Sequence, residues 1–197
     1  MKTLSTFVLT IILVFTGAFS AQGQVIKSIQ KKFNSLTDIS ATYSQYNGSK
    51  LIVTGTFSYK KVEKVRLSFG NNMIVSDGVT NWNIDKKQKK VIISKFDKKS
   101  VSILSVNHLI NVVPGDCDIV ESQKDKVVMT PKKGKMLGFR SVEITKDSRD
   151  LISSIKIEDN AKNIMKIDFS GYLLNKSLPD ADFSYKPTGD YKVVDLR

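Results

Sequence analysis

The sequence is poor in the residues that most metal and thiol chemistry needs. Its 197 residues hold one cysteine, Cys117, and one histidine, His108. A lone cysteine excludes an intramolecular disulfide framework and a CxxC redox pair, and one Cys with one His excludes a four-ligand Cys/His zinc site. His108 has no HExxH companion and no acid or thiol at triad spacing, so it reads as a structural histidine. Cys117 has no candidate base near it in sequence and reads as a buried, inert thiol. No Gly-rich phosphate loop, GxSxG elbow or carboxylate pair is present. Asp77, Asp85, Asp116 and Asp118 fall at turns, where turn chemistry accounts for them. Nothing points to a catalytic residue, a metal or a cofactor.

Acidic residues are also scarce beside basic ones, 19 Asp and Glu against 31 Lys and Arg, for a net charge of +12. Many lysines come in pairs, among them Lys60-Lys61, Lys86-Lys87 and Lys132-Lys133, placed mostly at turns and strand ends. Such a field in an exported protein suits anionic membrane surfaces or acidic partners, with nucleic acid largely out of reach. A simply solvated, soluble surface is the alternative.

Long apolar runs are missing except near the start, where Phe7 to Phe15 reads FVLTIILVF. With the basic Lys2 before it and Ala21-Gln22-Gly23 after it, this pattern predicts a secretory signal peptide over residues 1–23, cleaved before Gln24. The run falls short of the roughly 20 residues that span a bilayer. No cysteine follows it to carry a bacterial lipid anchor. No linker or break in composition divides residues 24–197, which are expected to form a single domain.

What is present is periodicity. Val25, Ile26, Ile29, Phe33 and Leu36 recur at three- and four-residue spacing and predict an amphipathic helix. The period then becomes two: Leu51, Val53, Gly55, Phe57 and Tyr59 alternate with a mixed face, and Val65, Leu67 and Phe69 repeat the arrangement. Short β-type runs follow at 72–77, 80–85, 89–94, 117–122, 126–131, 139–146, 151–158, 163–174 and 181–187, parted by turn signals such as Asp77-Gly78 and Asp159-Asn160. One apolar segment, Val101 to Val113, is better suited to a helix, between a cap at Asp97 or Ser100 and a stop at Pro114-Gly115.

About ten strands with one oily face tend to curl. The expected fold is mainly β: a strongly curved antiparallel sheet, barrel or half-barrel, with the two helices covering its apolar concave face. Phe57, Tyr59, Val65, Leu67, Phe69, Met73, Val75 and Trp82 come from consecutive strands and could line that face together. They form either the core or the wall of a cavity kept open for a lipid.

In these segments the chain resembles the outer-membrane lipoprotein carrier (LolA) family. The matching pieces are Asp38-Ile39-Ser40-Ala41-Thr42-Tyr43-Ser44-Gln45, Gly55-Thr56-Phe57-Ser58-Tyr59-Lys60, Val75-Ser76-Asp77-Gly78 followed by Trp82, Phe183-Ser184-Tyr185-Lys186-Pro187, and the tail from Asp190 to Asp195. The resemblance implies an unclosed antiparallel β-barrel with a helical lid over an apolar cavity. It also implies a periplasmic monomer that takes lipoprotein acyl chains from an inner-membrane ABC transporter and delivers them to an outer-membrane receptor or the outer membrane. The Val101–Val113 helix is then the lid, facing inward through Leu104, Leu109 and Ile110. Family members commonly carry Arg-Pro where this chain has Lys61-Val62, the arginine tying lid to barrel, so Lys61 is either the lid latch or an exposed strand-end lysine. A lipid- or lipoprotein-sensing module on the same scaffold and an exported hydrolase are the alternatives.

Overall fold

The computed structural model describes residues 23–61, 63–99 and 102–197. The predicted signal peptide, but for Gly23, lies outside them. The period-two segments form one sheet of twelve strands. In chain order these are β1 (Asp38–Asn47), β2 (Lys50–Lys60), β3 (Lys64–Phe69), β4 (Asn72–Ser76), β5 (Thr80–Asp85), β6 (Lys90–Lys95), β7 (Cys117–Gln123), β8 (Lys126–Pro131), β9 (Phe139–Lys146), β10 (Ile152–Asp159), β11 (Ile164–Leu174) and β12 (Lys192–Asp195). Their order across the sheet is β12-β6-β5-β4-β3-β2-β1-β11-β10-β9-β8-β7. Two antiparallel meanders, β1 to β6 and β7 to β11, are thus sewn together by β1 pairing with β11. β12 and β7 stay as free edges, so the curled sheet is an unclosed barrel, as expected.

Three elements differ from expectation. Asp38–Asn47, matched above only as a family segment, is a full strand; its inward side chains Ile39, Ala41 and Tyr43 are buried. Ser40, Thr42 and Ser44 between them weaken the apolar signal. Residues 181–187 are not a strand: Asp180–Phe183 is a 3-10 turn, and the closing strand is β12, which pairs in parallel with β6. Pro179 and Pro187 flank this piece and supply no amide for a ladder. The 101–113 helix is shorter and broken. A 3-10 turn at Ile103–Ser105 leads into α2 (Val106–Asn111), and a second 3-10 turn, Val113–Asp116, contains Pro114. A proline cannot extend the α-helical ladder, so the run stops two residues early.

The first helix, α1 (Gln24–Ser35), buries Val25, Ile26, Ile29 and Phe33, the stripe its spacing predicts. Its N-terminus has no side-chain cap of its own. Glu121 of β7 supplies one from across the barrel, its carboxylate accepting from the amides of Gln24, Val25 and Ile26 at 3.0, 2.7 and 3.3 Å. A carboxylate there meets both the unpaired amides and the positive end of the helix dipole.

The sheet changes its buried face along its width. From β1 to β3 and β8 to β11 the inner face is apolar and forms the main core with α1 and α2. From β4 to β6 the outer face is buried instead, through Met73, Val75, Ile84, Val91 and Ile93. The chain after β11 wraps that outer face. Tyr185 and Tyr191 pack on it, and the fully buried Phe183 sits in the 3-10 turn beside β3. Asp38, itself buried, starts the wrap by accepting from the amides of Lys176 and Ser177 at 2.7 and 3.0 Å.

Candidate functional site

Beneath the two helices lies an apolar cavity. Its floor is Ile39 of β1, Phe57 of β2, Ile155 of β10 and Phe169 of β11; its roof is Ile29 and Phe33 of α1 with Val106 of α2. Leu36, Leu151, Ile152 and Tyr172 complete the wall, and Asp150 stands at the rim. The open space is about 30 Å³, room for about one water. Aromatic side chains fill much of the rest: Phe33 lies 4.9 Å from Tyr59, and Phe57 meets Phe169 edge-on at 5.6 Å between ring centroids.

The polar groups around it are already committed. The Tyr172 hydroxyl donates to the Ile152 carbonyl, and burial pushes its pKa up. Burial likewise pushes Tyr59 up to about 12. At the rim, hydrogen bonds from Lys146 and then Ser28 hold the Asp150 carboxyl below its ordinary range. A chamber with no free charge inside suits hydrocarbon and offers nothing to activate a nucleophile.

The roof is held by few polar contacts. Gln30 Nε2 of α1 donates to the Ile110 carbonyl of α2 at 2.9 Å, and the side chains of Asn34 and Asn111 pair at 3.1 Å. The Lys61 ammonium donates to the Asn34 carbonyl, in the last turn of α1. Lys61 therefore reaches α1 rather than α2, and is linked to the expected lid segment only through the Asn34–Asn111 pair. On α2, Leu109 and Ile110 are buried in the main core, and Leu104 of the preceding 3-10 turn is partly buried against it, but Val106 is the α2 side chain that lines the cavity.

The structure separates the eight side chains that alternation had grouped. Phe57, Tyr59, Val65, Leu67 and Phe69 do face inward with the main core. Met73, Val75 and Trp82 do not; they belong to the outer cluster beneath Tyr185 and Tyr191. The cause is the two-residue turn after β3, which sets Phe69 opposite Asn72. Odd positions of β3 then share a face with even positions of β4, so Ile74 turns inward and Met73 and Val75 outward. Of the eight, only Phe57 lines the cavity. The wall missed in sequence comes from β1, β10 and β11; alternation in Ile155-Ile157 and Ile167-Phe169 carried a signal for the last two.

Cys117 is buried and its thiol is pushed up to about 11, burial being the largest cause, so it is unreactive at neutral pH. His108 is half-buried on α2. Among the described residues no cluster of His, Cys, Asp or Glu could hold a metal ion, and no helix is long and apolar enough to cross a membrane.

The architecture is an unclosed barrel with an apolar chamber under two helices. The model of the family described as outer membrane lipoprotein carrier protein LolA matches residues 34–186, and the chain belongs to that family. Membership implies a role in binding or carrying lipids or lipoproteins; the family is periplasmic and is one of binding and carrier proteins. A search of curated protein sequences finds no match. Among solved structures, the chain is similar to an uncharacterized conserved protein from Thermus thermophilus (15% identity, 87% of this chain and 97% of that one, TM-score 0.56). It is also similar to a LolA superfamily protein from Nitrosomonas europaea (13%, 81% and 97%, TM-score 0.40) and to the lipoprotein LppX of Mycobacterium tuberculosis (10%, 79% and 96%, TM-score 0.45).

Proposed function

We propose that this protein is a soluble periplasmic carrier, exported through a cleaved signal peptide, that shields lipoprotein acyl chains between an inner-membrane ABC transporter and an outer-membrane receptor or the outer membrane. The observation that carries this reading is the apolar chamber, roofed by two helices joined through a handful of polar contacts. Each acyl methylene withdrawn from water is worth roughly 0.8 kcal/mol, so the chains cannot cross an aqueous compartment uncovered. At about 30 Å³ the resting chamber holds no acyl chain, so ligand must compete with the roof for the inner face. That competition keeps the cavity weaker than a membrane and lets the cargo leave. Phe57 is the acyl contact at the chamber, with Tyr59, Val65, Leu67 and Phe69 extending the inner face. The α2 segment, through Val106, Leu109 and Ile110 with Leu104 before them, is the lid.

An environment-sensitive apolar dye tests this. The protein binds it at one to a few sites, and an acylated peptide displaces it. Dye fluorescence unchanged across the titration, with the fold intact by circular dichroism, would make the inner face core alone. Intact mass of the exported protein gives a chain beginning at Gln24 with no lipid attached; a retained Met1 or a lipid-sized increment overturns the soluble carrier.

A further inference from the structure

We infer that the β8–β9 loop is a docking element for an anionic lipid surface. Residues 132–138 (KKGKMLG) project Met136, which at 99% is the most exposed large apolar side chain among the described residues. Lys132, Lys133 and Lys135 share the loop with it, all exposed.

The loop is built rather than slack. Lys135 N donates to the Lys132 carbonyl at 2.9 Å across a turn whose Gly134 has φ 84°, a conformation that favours glycine. Leu137 is partly buried against the main core, anchoring the base. Lys132 is fixed on both sides, its amide donating to Asp116 O at 3.0 Å and its ammonium to Gly115 O at 2.9 Å. Lys135 pairs with the Asp116 carboxylate at 2.7 Å. Asp116 thus cancels one of three cations, leaving Lys132 and Lys133 as the excess. The half-exposed Val112 lies in the neighbouring turn, where its carbonyl accepts from Gly115 N at 3.0 Å.

Chemistry chooses the occupant. A protein partner would need about 800 Å² of surface with an apolar centre, and lysine is depleted from such centres. One protruding thioether in a lysine-rich loop supplies neither. An anionic bilayer uses both parts: the lysines meet its negative surface potential and Met136 enters the acyl boundary. One apolar side chain and two uncompensated lysines give weak, reversible contact. Because the loop is bonded to the 3-10 turn that ends the α2 segment, the bilayer is brought to the edge of the roof. The contact is independent of what fills the cavity.

Sedimentation of the purified protein with phosphatidylglycerol vesicles tests it, phosphatidylcholine vesicles serving as the uncharged comparison. Binding to the first and not the second, weakening with salt, is expected. Met136→Asp lowers the partition coefficient about tenfold, Met136→Leu retains it, and Lys133→Gln lowers it about fivefold. Parent and variants share one N-terminus, so the differences report the loop. Acyl-peptide displacement of dye by Met136→Asp stays at the parent value, which separates this test from that of the cavity. Equal partition of Met136→Asp and parent assigns vesicle binding to the diffuse basic field and overturns the inference. So does absence of binding to phosphatidylglycerol, which would leave the loop to a protein partner.

Discussion

Replacing Gln30 by alanine isolates the roof from the rest of the fold. Gln30 Nε2 donates to the Ile110 carbonyl at 2.9 Å in a part-buried position, and a hydrogen bond of this kind contributes about 1 kcal/mol net. Alanine has the best helix propensity, so α1 itself is not weakened. The bond exists only while α1 and α2 are together; its loss raises the closed state by about 1 kcal/mol relative to any open one. The open population then rises about fivefold, and since on the proposed mechanism ligand binds only the open state, apparent dissociation constants fall by the same factor. Dye titration followed by acyl-peptide displacement reads that gain, while urea unfolding reads a stability loss of no more than about 1 kcal/mol. Tighter binding in a less stable protein is a combination that simple damage does not produce. Unchanged or weaker binding in Gln30→Ala, with the same stability loss, would show that the helices are fixed parts of the core and that no opening step exists.

Lys61 meets the α1 C-terminus from an exposed position, where a cation contributes about 0.3–1 kcal/mol. Lys61→Leu should therefore tighten dye binding about twofold while Lys61→Arg weakens it slightly, and coincident midpoints would place Lys61 outside the roof equilibrium. Phe183→Ala should cost about 3–5 kcal/mol in urea unfolding yet leave acyl-peptide affinity unchanged, because Phe183 is buried beside β3 in the outer wrap; lost affinity in a folded variant would break that separation. In the tail, hydrogen bonds from Lys89 and from Arg197 hold Asp190 and Asp195 each down at about 2. Depressed carboxyls stabilise fully above the ordinary value of about 4 and lose that contribution as pH falls toward 2. Hydrogen exchange in β12 should be flat from neutral pH to about pH 4 after correction for intrinsic rates, and accelerate below it; acceleration already at pH 6 would refute the assignment.

Much of the architecture was legible because it rests on local periodicity. The Ile26-Ile29-Phe33 stripe and the alternation in β2 and β3 each state a buried face within one element. What failed was the step between elements. The Gly70-Asn71 turn inverts parity, so Met73, Val75 and Trp82 read as continuous with Leu67 and Phe69 but lie across the sheet from them. A two-residue turn can be suspected from sequence, yet its register is fixed only by which face finds a partner. Here that partner is the wrap through Tyr185 and Tyr191, more than a hundred residues away. β1 was hidden for a related reason: Ser40, Thr42 and Ser44 face out while the small Ala41 takes an inner place beside Phe57. The cavity wall was least legible, since it is assembled from α1, α2 and four strands of both meanders.

The same division of the sheet shapes the energetics of carrying. Where the buried face is the outer one, from β4 to β6, the wrap is tied down by Asp38, by Lys60 and Lys64 on Asp180 at 2.6 and 3.0 Å, and by the parallel β12 ladder. Where the buried face is the inner one, part of the cover is α2, six residues held to α1 by Gln30 and Asn34. On the carrier reading proposed above, an entering acyl chain exchanges its own burial for that of Val106, Leu109 and Ile110. Each of these aliphatic side chains is worth about 1.5–3 kcal/mol when fully buried, and each methylene about 0.8, so lifting the three offsets on the order of ten methylenes. A bilayer demands no such exchange. The cavity is therefore the weaker sink by roughly the apolar surface of its own lid, and shortening that surface with Val106→Ala should slow release by making the loaded state relatively more stable. Acyl-peptide dissociation into vesicles measures this rate, and faster release from Val106→Ala would refute the exchange.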